Sequence, residues 1–354
     1  MISVAILASM ATLPQLVAIR PNATFAAVGQ ETVLNYSELS PNVPFTEVIA
    51  SWNVKSAAAA KVRIELRGRN GDQLTKWYRM ADWAYEELLS PRQSLNGQRD
   101  ENGNVETDTL VFRKPMQSVD LRVTLSTSPD VTDEGGPLPK LDLVTLAFSK
   151  GKVTAKSPVP AARHAAWGRV IEVPQRAQGN YPRGNVLCSA TCTSMMLWHY
   201  AKKLNRPEID RDVPLVEAKV WDSVYKGAGN WPFNTAFAGS FAPLQAYVAR
   251  FGGIEDLEKW IEVGLPVVCS VSFDLVRGRP LSPTESGHLV VLVGFTKNGD
   301  PVFNDPARKE QVRYTYTRQN FENGWAYSGR TVYVIHPASA VPPPNSEGKW
   351  LEKP

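Results

Sequence analysis

Between residues 47 and 149 the chain runs for about a hundred residues in which apolar positions alternate or come in short runs, and nothing repeats at helical spacing. The runs VIASWNV, KVRIELRG, TKWYRMADWA, DTLVF, SVDLRVTLS and KLDLVTLAFS are punctuated by Gly, Asn, Asp and Pro. Segments of this kind cannot bury one face as helices, but they can as strands, whose side chains alternate between two faces. The pattern predicts an antiparallel β-sandwich over residues 46–149. Inside it, residues 95–107, with Asn-Gly at 96–97 and 102–103, read as a long loop, and so does the Gly-, Pro- and acid-rich stretch 130–139.

The texture then changes. Residues 150–166, KGKVTAKSPVPAARHAA, are basic and rich in Ala and Pro without a period, which predicts a linker. Beyond it, residues 189–204, 215–225, 241–251 and 255–263 have the spacing of helices. Strand-like runs follow at 266–273, 288–296, 301–304, 311–316 and 331–335. Helices followed by a block of strands describe an α+β domain, placed at residues 167–337, with 338–354 as a C-terminal tail. Residues 1–45 are left as an N-terminal segment. Their opening run, MISVAILASMATLP, ends near Ser9 and Ala11 as an export signal would, yet lacks the basic start of one. It reads either as a signal remnant or as a buried or frayed terminus. No stretch reaches the roughly 20 apolar residues needed to span a bilayer.

Thirty-nine basic residues against thirty-five acidic ones, with no Lys or Arg run interleaved with aromatics, argue against a nucleic-acid partner. Three cysteines make an odd set, so at least one thiol stays free, which suits chemistry better than a disulfide framework. Cys188, in GNVLCSATCTSMMLWHY, stands where an irregular segment turns into an amphipathic helix. A thiol there faces unpaired backbone N–H groups and the positive end of the helix dipole, which favour the thiolate. Cys192, one turn on, and Cys269, inside PVVCSVSF, read as core. Neither forms a zinc set, because no second short-spaced Cys/His pair exists.

Of the four histidines, His288 opens the apolar strand SGHLVVLVGF after a Ser-Gly turn, where a strand can fix the backbone while the ring faces a cleft. Asp305, in FNDPA, ends the next short strand across the turn TKNGD. An Asn-Gly hairpin would bring Asp305 to the His288 imidazole, subject to a one-residue register slip. His164 and His199 carry no acidic or thiol context and read as structural or solvent-facing, and His336, near the end of the final strand, is assigned no role. A Cys at a helix start, a His on a strand about a hundred residues later and an Asp on the following strand is the order that papain-like thiol enzymes use.

Four features together resemble the cysteine peptidase family thirty-nine, which includes the bacteriocin-leader-processing peptidases. They are VPQRAQ before the helix, CSATCTSMML at it, GLPVVCSVSF with SGHLVVLVGF, and VFNDPA followed by Trp325 and TVYVIHP. The resemblance implies a papain-like cysteine peptidase domain with Cys188 as nucleophile, His288 as general base and Asp305 as orienting residue. It also implies that Gln178, ten residues before the cysteine, helps hold the oxyanion, with Gln175 as the alternative. Where the family often has Pro and a small hydroxyl residue, this chain has Ala190 and Cys192. The expected substrate is a peptide or protein, with no cofactor and no metal. Because the leader-processing members are fused to membrane transporters, a bacteriocin leader is not the expected substrate. Similar domains in secreted bacterial proteins suggest an extracytoplasmic location and a glycan or protein ligand for the β-sandwich. Two rivals stay open: an acyltransferase of transglutaminase type using the same trio, and a catalytically silent binding protein.

Overall fold

In the computed structural model, which describes residues 15–27, 29–87, 91–128, 137–161, 164–285, 287–343 and 349–351, the N-terminal half forms two facing β-sheets. Its strands are β1 (Gln15–Ile19), β2 (Ala23–Thr24), β3 (Glu31–Leu39), β4 (Phe45–Lys55), β5 (Ala60–Asn70), β6 (Gln73–Leu74), β7 (Tyr78–Ala84), β8 (Gln93–Ser94), β9 (Gly103–Glu106), β10 (Thr109–Met116), β11 (Ser118–Thr127) and β12 (Lys140–Ser149). One sheet runs β1-β12-β4-β10-β9 with β2 on β12, and the other β3-β11-β5-β7-β8 with β6 on β5. The strand β5 explains why: Ala60, Val62, Ile64 and Leu66 are buried, while Lys61, Arg63, Glu65 and Arg67 between them face outward. Each large aliphatic residue so buried contributes roughly 1.5–3 kcal/mol, and the alternation lets all of them enter one core.

The C-terminal half contains α1 (Cys188–Leu204), α2 (Val213–Val220), α3 (Trp231–Ser240), β13 (Leu244–Arg250), α4 (Ile254–Glu262), β14 (Val267–Ser272), β15 (Gly287–Phe295), β16 (Pro301–Asn304), β17 (Arg313–Thr315), α5 (Arg318–Tyr327) and β18 (Thr331–Pro337). Its antiparallel sheet has the order β13-β18-β14-β15-β16-β17. The helix α1 packs against α2, α3 and the face of β15. The expected architecture, a β-rich domain followed by an α+β domain, is the one observed.

Several local expectations need correction. Residues 241–251 form the strand β13 rather than a helix, and the helix of that region, α3, lies just before it. Leu244 to Ala249 are all buried, because β13 pairs with β18 on one side and is backed by the N-terminal domain on the other. A strand buried on both faces loses its alternation, so its apolar spacing imitates a helix. The helix expected at 215–225 stops at Val220. The buried Asp222 then closes a turn by accepting the N–H groups of Val224 and Tyr225 and the amide of Asn230. Residues 95–107 are not all loop, since β9 occupies the end of that stretch.

The domain limits also move. Strands β1 and β3 precede residue 46 and belong to the sandwich. The described parts of residues 150–166, expected to be a linker, lie against the C-terminal half. Lys156 pairs with Glu255 at 2.8 Å, and its backbone N–H donates to Glu322. The chain's end returns as β19 (Lys349–Leu351), which pairs in parallel with β1. The apolar run read as a signal remnant lies outside the described residues, as does most of the 130–139 loop.

The two halves share one apolar core. Asn53 of β4 donates to the Ala246 carbonyl at 2.6 Å and accepts the Ala246 N–H at 2.9 Å, so a side chain completes the free edge of β13. Ser51 accepts the Val248 N–H, and Lys55 donates to the carbonyls of Gly239, Phe241 and Leu244. Trp52 meets Phe233 edge-on. Among the described residues no helix is long and apolar enough to cross a membrane.

Candidate active site

Cys188 is the first residue of α1, and no side chain caps that helix end. The first-turn N–H groups therefore lack intrahelical partners, and the Ser189 N–H hydrogen-bonds to the Cys188 sulfur, as does the Leu289 N–H from β15. His288 is the second residue of β15, and it is hydrogen-bonded to the same sulfur. Its Nε2 lies 2.7 Å from Asp305 Oδ1, which leaves Nδ1 as the nitrogen toward the thiol. The ring is 97% buried, and the edge of Phe273 packs on it at 4.7 Å between centroids.

Asp305 follows β16 directly. The β15–β16 register pairs Val291 with Asn304, and a bulge between Leu292 and Gly294 shifts the strand by one residue. That bulge settles the slip left open by hairpin arithmetic. The Asp305 carboxylate is fully buried. Its Oδ1 also accepts the Ala307 N–H at 2.9 Å, and its Oδ2 accepts the Tyr316 hydroxyl at 2.5 Å and faces Arg308 Nε at 3.5 Å.

The electrostatics follow from these contacts. Burial pushes the Cys188 thiol up, but the hydrogen bond and charge of His288, together with the two N–H donors, bring it below its ordinary value. Burial pushes His288 down. Asp305 and Cys188 outweigh that and raise it to about 9. Burial would raise Asp305 as well, yet His288, Tyr316 and the Ala307 N–H hold it at about 2. A depressed thiol beside an elevated imidazole favours a thiolate–imidazolium pair at neutral pH.

Gln178 opens a 3-10 turn (Gln178–Asn180), and its N–H donates to the Pro306 carbonyl, one residue past Asp305. Its side-chain Nε2 donates to the Gly184 carbonyl at 2.6 Å, leaving a second N–H, while its buried Oε1 has no partner. Gln175 is turned away, its Oε1 accepting the Arg313 N–H. Cys192 and Cys269 are fully buried, with burial as the leading cause of thiol pKa values well above normal. His199 Nδ1–H donates to the Glu172 carbonyl, and His336 is enclosed beside Gln245. Neither approaches the trio's contacts. Sequence reasoning missed Tyr316 and Arg308, which brace Asp305. The alternating run QVRYTY carried no sign of Tyr316, whose role depends on β17 lying beside β16, and Arg308 reaches Asp305 from the turn that follows β16.

Residues 170–333 match a family model described as Peptidase_C39 like family, and residues 32–149 match one described as Peptidase C39 N-terminal domain. No curated protein matches the chain. Among solved structures, a putative C39-like peptidase from Bacillus anthracis is similar at 21% identity and a TM-score of 0.36, covering 48% of this chain and 98% of that one. The structure of the infectious bursal disease virus Gt strain is similar at 11% identity and a TM-score of 0.22, covering 39% and 33%.

Proposed function

Because the domain at residues 170–333 belongs to the C39-like peptidase family, we propose that the protein is a cysteine peptidase or amide hydrolase acting through Cys188, His288 and Asp305. The observation that carries this reading is the buried His288 ring, whose Nε2 lies 2.7 Å from Asp305 Oδ1 and whose interaction with the Cys188 sulfur lowers the thiol pKa.

The proposed chemistry starts with the Cys188 proton on His288. The thiolate attacks the substrate carbonyl, a C–S bond forms, and the electron pair moves onto the oxygen. The second N–H of Gln178 and the Cys188 backbone N–H are the donors assigned to that oxyanion. When the tetrahedral species collapses, the C–N bond breaks and His288 gives its proton to the leaving amine. Water, deprotonated by His288, then attacks the thioester and releases the acid and the free thiol. Asp305 stays ionised throughout, keeping the ring oriented and the imidazolium stable. Tyr316 and Arg308 keep Asp305 in place.

Cys188→Ala should abolish labelling by an iodoacetamide or epoxide probe and cleavage of a peptide library together. Undiminished labelling would overturn the assignment, since Cys192 and Cys269 are buried and have raised thiol pKa values.

A further inference from the structure

The cleft that contains Cys188 is not walled by the peptidase domain alone. Its cavity, of about 610 Å³, is lined by Tyr225 and Trp231 of the C-terminal half together with residues 106–109, the tip of the β9–β10 hairpin of the N-terminal domain. A volume of that size accommodates several side chains of an extended peptide.

The tip is a three-residue turn. The Asp108 N–H donates to the Glu106 carbonyl at 2.8 Å, with Thr107 between them at φ 58°. A β-branched residue in the left-handed region is strained, and such strain concentrates where a turn must present a group. Asn96 Oδ1 holds the turn by accepting the Thr107 N–H at 2.7 Å. The group presented is the Asp108 carboxyl, 8% exposed at the cleft. Its Oδ2 accepts the Trp231 N–H at 3.1 Å, and its Oδ1 accepts the Thr109 hydroxyl at 3.1 Å.

That carboxyl lacks a cation. Among the described residues no Lys, Arg or His pairs with Asp108, and Arg250, whose charge reaches it, is engaged by Glu47 and Ser149. The cleft lining holds Glu47, Glu106 and Asp108 against Lys226 and Arg250, an excess of one negative charge. Cys188, Asp108 and Tyr225 line the same cavity, and burial first, then the charges of Cys188, Asp108 and Asp222, raise the Tyr225 pKa. Burial in turn raises the Asp108 carboxyl to about 6, and the hydrogen bonds from the Trp231 N–H and the Thr109 hydroxyl offset that only in part.

We propose that Asp108 is a specificity-determining residue, supplied by the N-terminal domain, that accepts the cationic side chain of a Lys or Arg in the peptide bound across Cys188. The inference rests on the reading of Cys188 as nucleophile. A buried carboxylate matched by a substrate cation makes a charge-assisted hydrogen bond, and a substrate without the cation leaves the carboxylate unmatched. The N-terminal domain thus reads the substrate, which gives a reason for the fused interface that holds the hairpin in the cleft.

The test compares kcat/KM of the full chain for matched peptides carrying Arg or citrulline at each position around the cleaved bond. At one position Arg should be preferred at least about tenfold, and in Asp108→Asn, which keeps an acceptor for the Trp231 N–H, that ratio should fall to within about twofold. Cleavage without a preference for Arg in the wild type, or an unchanged preference in Asp108→Asn, overturns the proposal and leaves the peptidase reading standing. If no peptide is cleaved and Cys188 takes no label, both fall. Should Asp108→Asn not fold, the wild-type preference alone decides.

Discussion

Replacing Asp305 by Asn measures how far the reactivity of the thiol depends on the charge behind the imidazole. The His288 pKa stands at about 9 against an ordinary 6.5, which at 1.36 kcal/mol per tenfold step is about 3 kcal/mol of preference for the imidazolium. Burial opposes that preference, and Asp305 and Cys188 together supply it. Asp305, lowered from 3.8 to about 2, represents about 2 kcal/mol, and Tyr316 and the Ala307 N–H account for part of it. Each figure is the net of these partners against an opposing burial penalty, so about 2 kcal/mol serves as the scale of what the Asp305 charge contributes to His288. Asparagine keeps an acceptor but not the charge. Roughly 1–2 kcal/mol of imidazolium stabilisation should therefore disappear, and kcat/KM at pH 7 should fall about 5- to 30-fold.

The pH dependence carries the sign. A raised His288 pKa means that the imidazolium, and the stability it lends the fold, is complete below pH 6.5 and lost as pH rises through about 9. The lowered Asp305 pKa contributes stability above pH 3.8 that is lost as pH falls through about 2. In Asp305→Asn the alkaline loss should begin at lower pH, so the thermal midpoint should change less between pH 6.5 and 9 than in the wild type. The deciding assay is the rate of iodoacetamide alkylation against pH. Its inflection, depressed in the wild type, should move up toward the value of a free thiol in the variant. Superimposable profiles from a variant with native circular dichroism would refute the coupling. Tyr316→Phe, which removes one donor and keeps the charge, should shift the profile in the same direction by less.

Gln178→Ala should lower kcat by about 10²–10³-fold if its amide holds the oxyanion, while leaving the alkylation profile in place. A fall in kcat of less than about threefold would reduce Gln178 to a tie between its turn and Gly184. Asn53→Ala strands the N–H and C=O of Ala246 at a buried edge, and at about 1–3 kcal/mol per unmatched group it should cost roughly 2–6 kcal/mol. Calorimetry should show one cooperative transition at a lower temperature, and two separate transitions in the wild type would contradict a shared core.

How much of this was legible in the chain depended on what each segment contacts. The β5 alternation and the helical spacing of α4 could be read directly, because each buries one face and leaves the other more exposed, whereas α1 is buried almost all round from Ser189 to Ala201 and was legible from its spacing alone. Cys188 and His288 were legible for a related reason, since each sits at the boundary of an element that its own neighbours define. The strand β13 was not, because it is enclosed by β18 and by a side-chain layer from the other domain. The position of Asp305 required the bulge in β15, which no residue type announces.

The sequence by itself determined the local alphabet: which runs would be strands, where the long helix would begin, and that a free thiol would stand at its start. Only the tertiary structure decided that the Asp305 carboxylate reaches the ring, that Tyr316 and Arg308 brace it, and that a hairpin of the N-terminal domain lines the cleft containing Cys188. The physical reason is range. Propensity, capping and periodicity act over a few residues, whereas the site is assembled by contacts between segments as distant as Asp108 and Cys188, whose proximity depends on how two sheets and their shared core pack.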